Sequence, residues 1–385
     1  MTTARIVGIG ATEFSKHSGR SEIELSVDAI ARALHDAGLE PHQVQGLTTF
    51  TFDTSPESEI SRNLGLGPLR FFAQSPFGGG GGCGAIMHAA MAIEAGVADV
   101  VACYRGLNER SGRRFGATAR AVPARPAAQD ILRGYYNQFG LITPADSFAM
   151  VARRYMHDTG ATSEDFGRVA VVQRDYAVTN PAAWFYGRPL TLEQHQASRW
   201  IAEPLRLHDC CQESDGAVAV VLASARVAAT LEVTPVVVKA AAQSLPTGYE
   251  MMTDYNQPTL SALRETAELG EQLWSRSGLG TDDVQLAILY DHFSPFVLLQ
   301  LEALGFCGFG EAPELVACGE TSPGGRLPVN TNGGQLSEAY IHGMNGLAEA
   351  VRQLRGTAAN QVSGVENVVV TSGPGLPTSG LILGL

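Results

Sequence analysis

Leu327-Pro-Val-Asn-Thr-Asn-Gly-Gly-Gln-Leu-Ser-Glu-Ala-Tyr340-Ile-His342-Gly-Met-Asn-Gly346 is the stretch whose reading decides the fold. A glycine pair bounds a turn, and residues 335–355 then run with helical period into the β-type stretch Val365-Glu-Asn-Val-Val-Val-Thr371. Residues 83–95 do the same before Val97-Ala-Asp-Val-Val-Ala-Cys-Tyr104. A further correspondence runs without a gap from Gly38-Leu-Glu-Pro-His-Gln-Val-Gln-Gly-Leu-Thr-Thr-Phe-Thr-Phe-Asp53 to Gly278-Leu-Gly-Thr-Asp-Asp-Val-Gln-Leu-Ala-Ile-Leu-Tyr290-Asp-His-Phe293. Each copy follows a segment of helical period, residues 22–37 and 259–277, and each enters a short β-type run. Helix, Gly-Leu stop, loop and buried strand form half of a βαβ unit, so two copies predict duplicated α/β halves. The first half is read as residues 1–230 and the second as 231–385, opening on Pro235-Val-Val-Val-Lys-Ala. The excess length of the first, residues 105–205, is read as an inserted, partly helical cap.

Composition narrows the function classes. A chain of 385 residues exceeds one ordinary core, and 45% hydrophobic with 17% charged residues fits a packed soluble α/β protein. A net charge of −12 argues against nucleic acid as a partner. The six cysteines, Cys83, Cys103, Cys210, Cys211, Cys307 and Cys318, include no C-x-x-C pair, so no metal site is expected in this chain. Their scatter fits a reducing compartment. No apolar stretch reaches the ~18–20 residues of a membrane span, and the N-terminus opens on the strand-like Ala4-Arg-Ile-Val-Gly-Ile-Gly. A cytoplasmic protein is expected.

Three motifs bear on chemistry. Gly8-Ile-Gly10-Ala-Thr-Glu13 follows a strand, but the third glycine of a dinucleotide fingerprint would fall at Glu13, so it reads as a strand ending in a glycine turn. Gly78 to Gly82 followed by Cys83 at a helix start would let backbone N–H groups converge on an anion or oxyanion, and would lower the pKa of a thiol there. The same residues also suit a tight turn packing helix on strand. Arg105, Arg110, Arg113, Arg114, Arg120 and Arg125 could hold phosphates or a partner surface, or form a solvated loop.

Several stretches, in order along nearly the whole chain, resemble the thiolase superfamily in its sterol-carrier-protein-thiolase or lipid-transfer-protein branch. They are Ile6-Val-Gly-Ile-Gly-Ala-Thr-Glu-Phe14, Asp209-Cys-Cys-Gln-Glu-Ser-Asp-Gly-Ala217, Tyr290-Asp-His-Phe293, Pro328-Val-Asn-Thr-Asn-Gly-Gly334 and Gln353-Leu-Arg-Gly356. The resemblance implies βαβαββ-type halves in a five-layer αβαβα sandwich, and a homodimer. It also implies departures. The nucleophile position falls on Gly79, with Cys83 about one turn inside the helix. The histidine of the family's Gly-His-Pro signature has become Tyr340, and that of His-Asp-Cys-Phe has become Tyr290. Thr371-Ser-Gly-Pro-Gly-Leu lacks the second cysteine of many thiolases.

What remains implied is an acyl-CoA site without covalent catalysis. Members lacking the cysteine and histidine resemble retro-aldolases of bacterial sterol side-chain degradation. These cleave a β-hydroxyacyl-CoA on the steroid D ring to a 17-keto steroid and propionyl-CoA. Tyr340 and Tyr290 are expected to divide the base and acid roles. Gly80, Gly81, Gly82, Gly333, Gly334, Gly373 and Gly375 are expected to supply the oxyanion donors. A phenol with a reference pKa of about 10 needs a neighbour to act as base near neutrality, and Asp291, His292 and His342 are the candidates, unranked. No cofactor is expected beyond the CoA carried by the substrate. The resemblance implies a small companion protein joining a zinc ribbon to an OB-fold. The competing readings are an acyltransferase using Cys83 and a non-catalytic acyl-CoA or sterol carrier.

Overall fold

The structure, a computed structural model, describes residues 4–50, 54–75, 78–112, 134–249, 254–375 and 378–385. Strand β1 (Ala4–Ala11) leads into helix α1 (Glu22–Ala37), β2 (Gly46–Phe50), α2 (Glu57–Leu64), β3 (Phe71–Ser75), α3 (Gly82–Glu94) and β4 (Val100–Asn108). Helices α4 (Pro144–Thr159), α5 (Ser163–Thr179) and α6 (Leu192–Ala197) follow, then the short pair β5 (Trp200–Ala202) and β6 (Leu205–Arg206). The chain returns through β7 (Asp215–Ser224) and α7 (Ala225–Ala228) to β8 (Val236–Ser244), α8 (Arg264–Ser277) and β9 (Leu286–Ile288). It ends with α9 (Pro295–Ala303), α10 (Ala312–Ala317), α11 (Gly334–Ser337), α12 (Met344–Arg355), β10 (Asn367–Ser372) and β11 (Thr378–Gly384).

The repeat read in the sequence is visible residue by residue. Ser21 and Glu24 close a capping box at the start of α1, and Gly38 ends it at φ 68°. A 3-10 turn at Pro41–Gln43 then feeds β2. In the second copy Gly278 ends α8 at φ 72°, and a 3-10 turn at Thr281–Asp283 feeds β9. The sheet order is β3-β2-β4-β7-β1-β8-β11-β10-β9, so β1, β7, β4 and β2 on one side mirror β8, β11, β10 and β9 on the other. Among the described residues the two sets meet through two register pairs, Arg5 with Val237 and Ile6 with Val236.

Helices α3 and α12 contact strands of both sets and lie between them, whereas α1 covers β1, β4 and β7, and α8 covers β8 and β11. Layers of helix and strand therefore alternate. The central one is apolar, with Ile86, Ala89, Met344, Leu347 and Val351 packed against Val220, Val238, Val368 and Leu381. The helices between β4 and β7 dock on the second half: α5 packs against α9, α10 and α11. A buried cluster pins this docking, with Asp209 Oδ1 2.8 Å from His195 Nε2 and accepting the Ser294 hydroxyl at 2.5 Å. Arg113, Arg114, Arg120 and Arg125 lie outside the described residues. Among those described, no helix is long and apolar enough to cross a membrane, and no cluster of His, Cys, Asp and Glu is set to hold a metal.

Two sequence expectations change. Gly8 and Gly10 do not form a turn; they lie within β1, where α1 rests directly on the strand. A Cβ at Gly10 would overlap the Ala29 carbonyl and the Ala33 amide. Residues 335–355 are not one helix but α11 and α12, separated at Glu338–Gly343. The first finding gives a prediction. Gly10→Ala should lower stability by about 1–3 kcal/mol, the usual penalty for overpacking, read as a shift in denaturant midpoint. An unchanged midpoint would mean that α1 can lift from the sheet without loss.

Candidate active site

The glycine turn is held by groups from three separate parts of the chain. Asn330, Gly333 and Gly334 all adopt positive φ, at 53°, 105° and 62°. A Cβ at Gly334 would overlap the Asp291 carboxylate, and one at Gly333 would stand 2.7 Å from the Ala177 Cβ on α5. Asp291 accepts the backbone N–H of Gln335 at 2.8 Å and of Leu336 at 3.3 Å, and so caps α11. The helix stops there because Glu338 turns inward. Its fully buried carboxylate accepts amide N–H groups of Asn180 at 3.1 Å, Asn345 at 2.8 Å and Asn332. His342 at φ 49° and Gly343 at φ 81° then restart the chain as α12. Tyr340 sits on this break, its N–H bonded to the Ser214 hydroxyl at 3.1 Å.

Tyr290 lies just beyond β9 and donates its N–H to Thr371 Oγ1 at 3.0 Å. The two phenol oxygens are 3.0 Å apart, one donating to the other, with the rings nearly perpendicular at 74°. Both side chains are buried, and burial drives both hydroxyls above the ordinary phenol range. The Tyr290 hydroxyl also occupies the space that a side chain at position 79 would need, because a Cβ on Gly79 would overlap it. The backbone of the C-terminal loop closes in from another side: a Cβ at Gly373 would lie 2.5 Å from the Gly80 nitrogen.

The glycine-rich segment forms a 3-10 turn at Gly79–Gly81 that runs directly into α3. Cys83 is thus in the first turn of α3, nearer its start than expected. Its thiol is nevertheless not activated. Cys83 is fully buried, it accepts the Ser372 hydroxyl at 3.1 Å, and burial pushes it up to about 12. Desolvation outweighs the helix terminus here. The first donors of α3 are already used: Cys83 N–H bonds Ser372 Oγ at 3.0 Å and Gly84 N–H bonds Ser379 Oγ at 2.9 Å.

The expected oxyanion glycines divide accordingly. The N–H of Gly81 is spent on the Gly78 carbonyl at 3.1 Å, that of Gly334 on Asn332 Oδ1 at 3.2 Å, and that of Gly375 on Glu265 Oε1 at 3.0 Å. Gly82 and Gly373 stand where a Cβ would crowd a neighbouring loop. The Gly80 carbonyl accepts the Ser379 hydroxyl at 2.5 Å.

The candidate helpers can now be separated. Asp291 is committed to capping, and burial raises it to about 7 against the opposing backbone N–H groups. His292 is caged by Phe148, Phe296 and Phe293 at ring distances of 4.4, 4.7 and 4.8 Å, and burial lowers it to about 3. His342 is buried rather than solvent-facing, and its ring meets that of Tyr340 at 5.1 Å. The residue that the sequence reading misplaced is Arg105. It is not part of a basic loop but the sixth residue of β4, fully buried, with Nε donating to His342 Nδ1 at 3.2 Å and Nη1 to the Phe50 carbonyl at 2.9 Å. Glu338 was also missed, although three of its network, Asn332, Glu338 and Asn345, stand within the motif itself.

Residues 247–383 match a family model described as thiolase C-terminal domain-like. The chain is 57% identical over 381 residues to the 17-hydroxy-3-oxo-4-pregnene-20-carboxyl-CoA lyase of Mycobacterium tuberculosis, covering 99% of each chain. It is 56% identical to the steroid side-chain-cleaving aldolase of Thermomonospora curvata, covering 99% of this chain and 97% of that one. Among solved structures it is similar to the Ltp2-ChsH2(DUF35) aldolase, with a TM-score of 0.95 and 55% identity, over 100% of this chain and 98% of that chain.

The two buried carboxyls make the stability of the site pH-dependent. Asp291 and Glu338 are each raised to about 7, by burial foremost. A carboxyl whose folded pKa exceeds its unfolded one stabilises the fold fully below the unfolded value, and that contribution is lost as pH rises through the folded value. The melting temperature should therefore carry a downward component between about pH 4 and pH 7 from these groups. Glu338→Gln cannot ionise and should lose the Glu338 share of that component while keeping that of Asp291, whatever its absolute stability. Parallel melting curves for wild type and variant across this window would show that Glu338 does not titrate there.

Proposed function

Because the chain belongs to the thiolase superfamily, we propose that it is a carbon–carbon lyase cleaving the side chain of a 17-hydroxy steroid 20-carboxyl-CoA thioester by retro-aldol chemistry. The products are a 17-keto steroid and propionyl-CoA. One observation carries the reading: a phenol hydroxyl fills the place where a side chain at position 79 would stand, and it is hydrogen-bonded to a second phenol at 3.0 Å. A pair of proton carriers has replaced nucleophile and base. The two relatives at 56% and 57% identity are named for the same type of cleavage.

The chemistry follows from the pair. Both phenols are held neutral by burial, so a free phenolate is a poor starting point. A hydrogen-bonded pair avoids the need for one. As the β-hydroxyl proton moves to one phenol oxygen, that phenol passes its own proton to its neighbour, which in the same event releases its own proton toward the α-carbon. The carbon–carbon bond breaks, the hydroxyl carbon becomes the ketone, and the bonding electrons enter the thioester enolate. The proton that the α-carbon receives is the one released by the second phenol, so neither phenol holds two protons at any point. One proton leaves oxygen and one arrives at carbon, so the cycle balances without an acyl-enzyme. Cys83, buried and raised to about 12, has no part in it, which disfavours an acyltransferase.

The reading extends to the surroundings of the chain. The substrate brings its own CoA and no further cofactor is needed. The protein works as a cytoplasmic homodimer with a small companion that joins a zinc ribbon to an OB-fold, in keeping with the two-protein name of the similar aldolase structure.

Tyr290→Phe and Tyr340→Phe should each lower turnover by about 10²–10⁴-fold, the usual cost of a lost general acid or base. A shared relay fails when either hydroxyl is removed, so the double variant should be little worse than the poorer single. Multiplying defects in product-release assays for ketone and short acyl-CoA would mean that the phenols act separately. Cys83→Ala should keep turnover within about threefold. A hundredfold loss, roughly what removal of a nucleophile produces, would instead favour acyl transfer.

A further inference from the structure

Arg105 is the largest fully buried side chain among the described residues, and its charge needs a reason. Taking a guanidinium out of water costs several kcal/mol even after relaxation, on the order of the whole margin of a domain's stability. Nothing in the strand pairing of β4 calls for a cation. Residue 105 pairs with Val218 of β7, and its neighbours Tyr104 and Gly106 pair with Ala219 and Ala217. The side chain instead reaches out of the sheet toward the phenol pair. Its Nη1 donates to the Phe50 carbonyl at 2.9 Å, its guanidinium lies 5.0 Å from the Phe50 ring centroid, and its Nε donates to His342 Nδ1 at 3.2 Å.

That last bond fixes the state of His342. A guanidinium stays protonated in proteins and can only donate, so His342 Nδ1 must present its lone pair. The imidazole is therefore neutral, with its proton on Nε2. Its backbone is held at φ 49°, unusual for a residue with a side chain, so the ring lies between Phe50 at 5.8 Å and Tyr340 at 5.1 Å. An unbroken line of contacts thus runs from Arg105 through His342 to Tyr340 and Tyr290.

Two other ionisable neighbours of the phenols work in the opposite sense. Cys211 and Glu109 oppose ionisation of both Tyr290 and Tyr340, whereas Arg105 favours that of Tyr290. Retro-aldol cleavage sends negative charge into the thioester enolate and, while the protons of the relay are in flight, partly onto the phenol oxygens, in a buried site. A preoriented cation a short way off gains most from such a change, since it need not reorganise.

We propose that Arg105 is a positioning residue of the lyase site: it fixes the tautomer and place of His342 against Tyr340, and sets a positive charge behind the phenol pair where negative charge develops. This rests on the lyase reading above. The function differs from that of a surface arginine binding a CoA phosphate, because Arg105 touches solvent nowhere.

The test uses the full chain with its companion and a tertiary β-hydroxyacyl-CoA substrate, and measures kcat and KM separately. Arg105→Met, of similar length without charge, should lower kcat by about 10²–10³-fold, the range for loss of a preorganised electrostatic group, with KM changed by less than about threefold. Arg105→Lys should recover at least about tenfold of that kcat. His342→Phe keeps the guanidinium but removes its contact, and should lower kcat by about tenfold with KM again unmoved. A folded Arg105→Met enzyme with wild-type kcat overturns the proposal. So does a loss shared equally by kcat and KM, or equal activity of the Met and Lys variants at matched melting temperature. Should Arg105→Met fail to fold, His342→Phe decides alone, and full kcat there also overturns it. Tyr340→Phe serves as reference: wild-type cleavage lost in Tyr340→Phe but kept in Arg105→Met refutes the role of Arg105 and leaves the lyase reading standing. Absence of cleavage by the wild type overturns both.

Discussion

No side chain can stand at position 79 while Tyr290 keeps its place, and the rest of the site follows from that exclusion. Tyr290 is fixed at its backbone on both sides, its N–H bonded to Thr371 Oγ1 at 3.0 Å and its carbonyl accepting Gln300 Nε2 at 2.9 Å. Gln300 in turn accepts the Thr371 hydroxyl at 2.7 Å, so two linked residues of the second half fix the backbone that carries the phenol. The phenol then crosses to the first half and seats its hydroxyl against the glycine turn that begins α3. The glycines there are needed for what they leave out. They allow the backbone at Gly80 and the loop at Gly373 to touch, and they leave room for a hydroxyl from outside the turn. A scaffold of this family that carries a nucleophile on its own helix could not also admit the phenol.

Burial acts on every ionisable group around this point, and with different consequences. It raises the Cys83 thiol to about 12 and keeps it inert, although the residue stands in the first turn of a helix. It raises both phenols, which makes a neutral relay a better route than a standing phenolate. It brings Asp291 and Glu338 to about 7, where each remains useful as an acceptor because several N–H groups point at it. Arg105 alone cannot answer burial by shedding its proton, so it keeps its charge in the interior and must be hydrogen-bonded there. A single physical cause, loss of water, therefore switches off the thiol but leaves the charge of Arg105 in place near the phenols.

How much of this is legible in the sequence depends on where each residue finds its partners. The copies around Gly38 and Gly278 are readable because a left-handed glycine, a 3-10 turn and a strand are all decided within a dozen or so neighbouring residues. Tyr340 and Tyr290 are readable as a pair only through the resemblance, since nothing local says that residues fifty positions apart share a hydrogen bond. The break after Ser337 is hidden because the apolar period continues through it. What stops the helix is Glu338 bonding to Asn180, contributed by the inserted helices. Arg105 is hidden for a similar reason. The apolar run ends at Tyr104, but pairing with β7 carries the strand on to Asn108 and takes the arginine inside. The state of Cys83 turns on burial, which the position of a thiol at a helix start does not reveal.

The duplicated architecture gives these choices a common logic. In the first half, the position equivalent by resemblance to a nucleophile carries no side chain, and the neighbouring strand carries a buried cation. In the second half, both positions matched to histidines carry phenols. The two halves fit each other at these points: a phenol at 290 would collide with a side chain at 79, and the N–H groups of the arginine inside β4 are received by His342 and by the Phe50 carbonyl. Among the described residues the two sets of strands meet in one strand pair, β1 with β8, through two register pairs, and the apolar layer of α3 and α12 packs between them. That layer is what holds a hydroxyl from one half in the vacancy of the other, and it makes the packing of the central helices a condition of the chemistry.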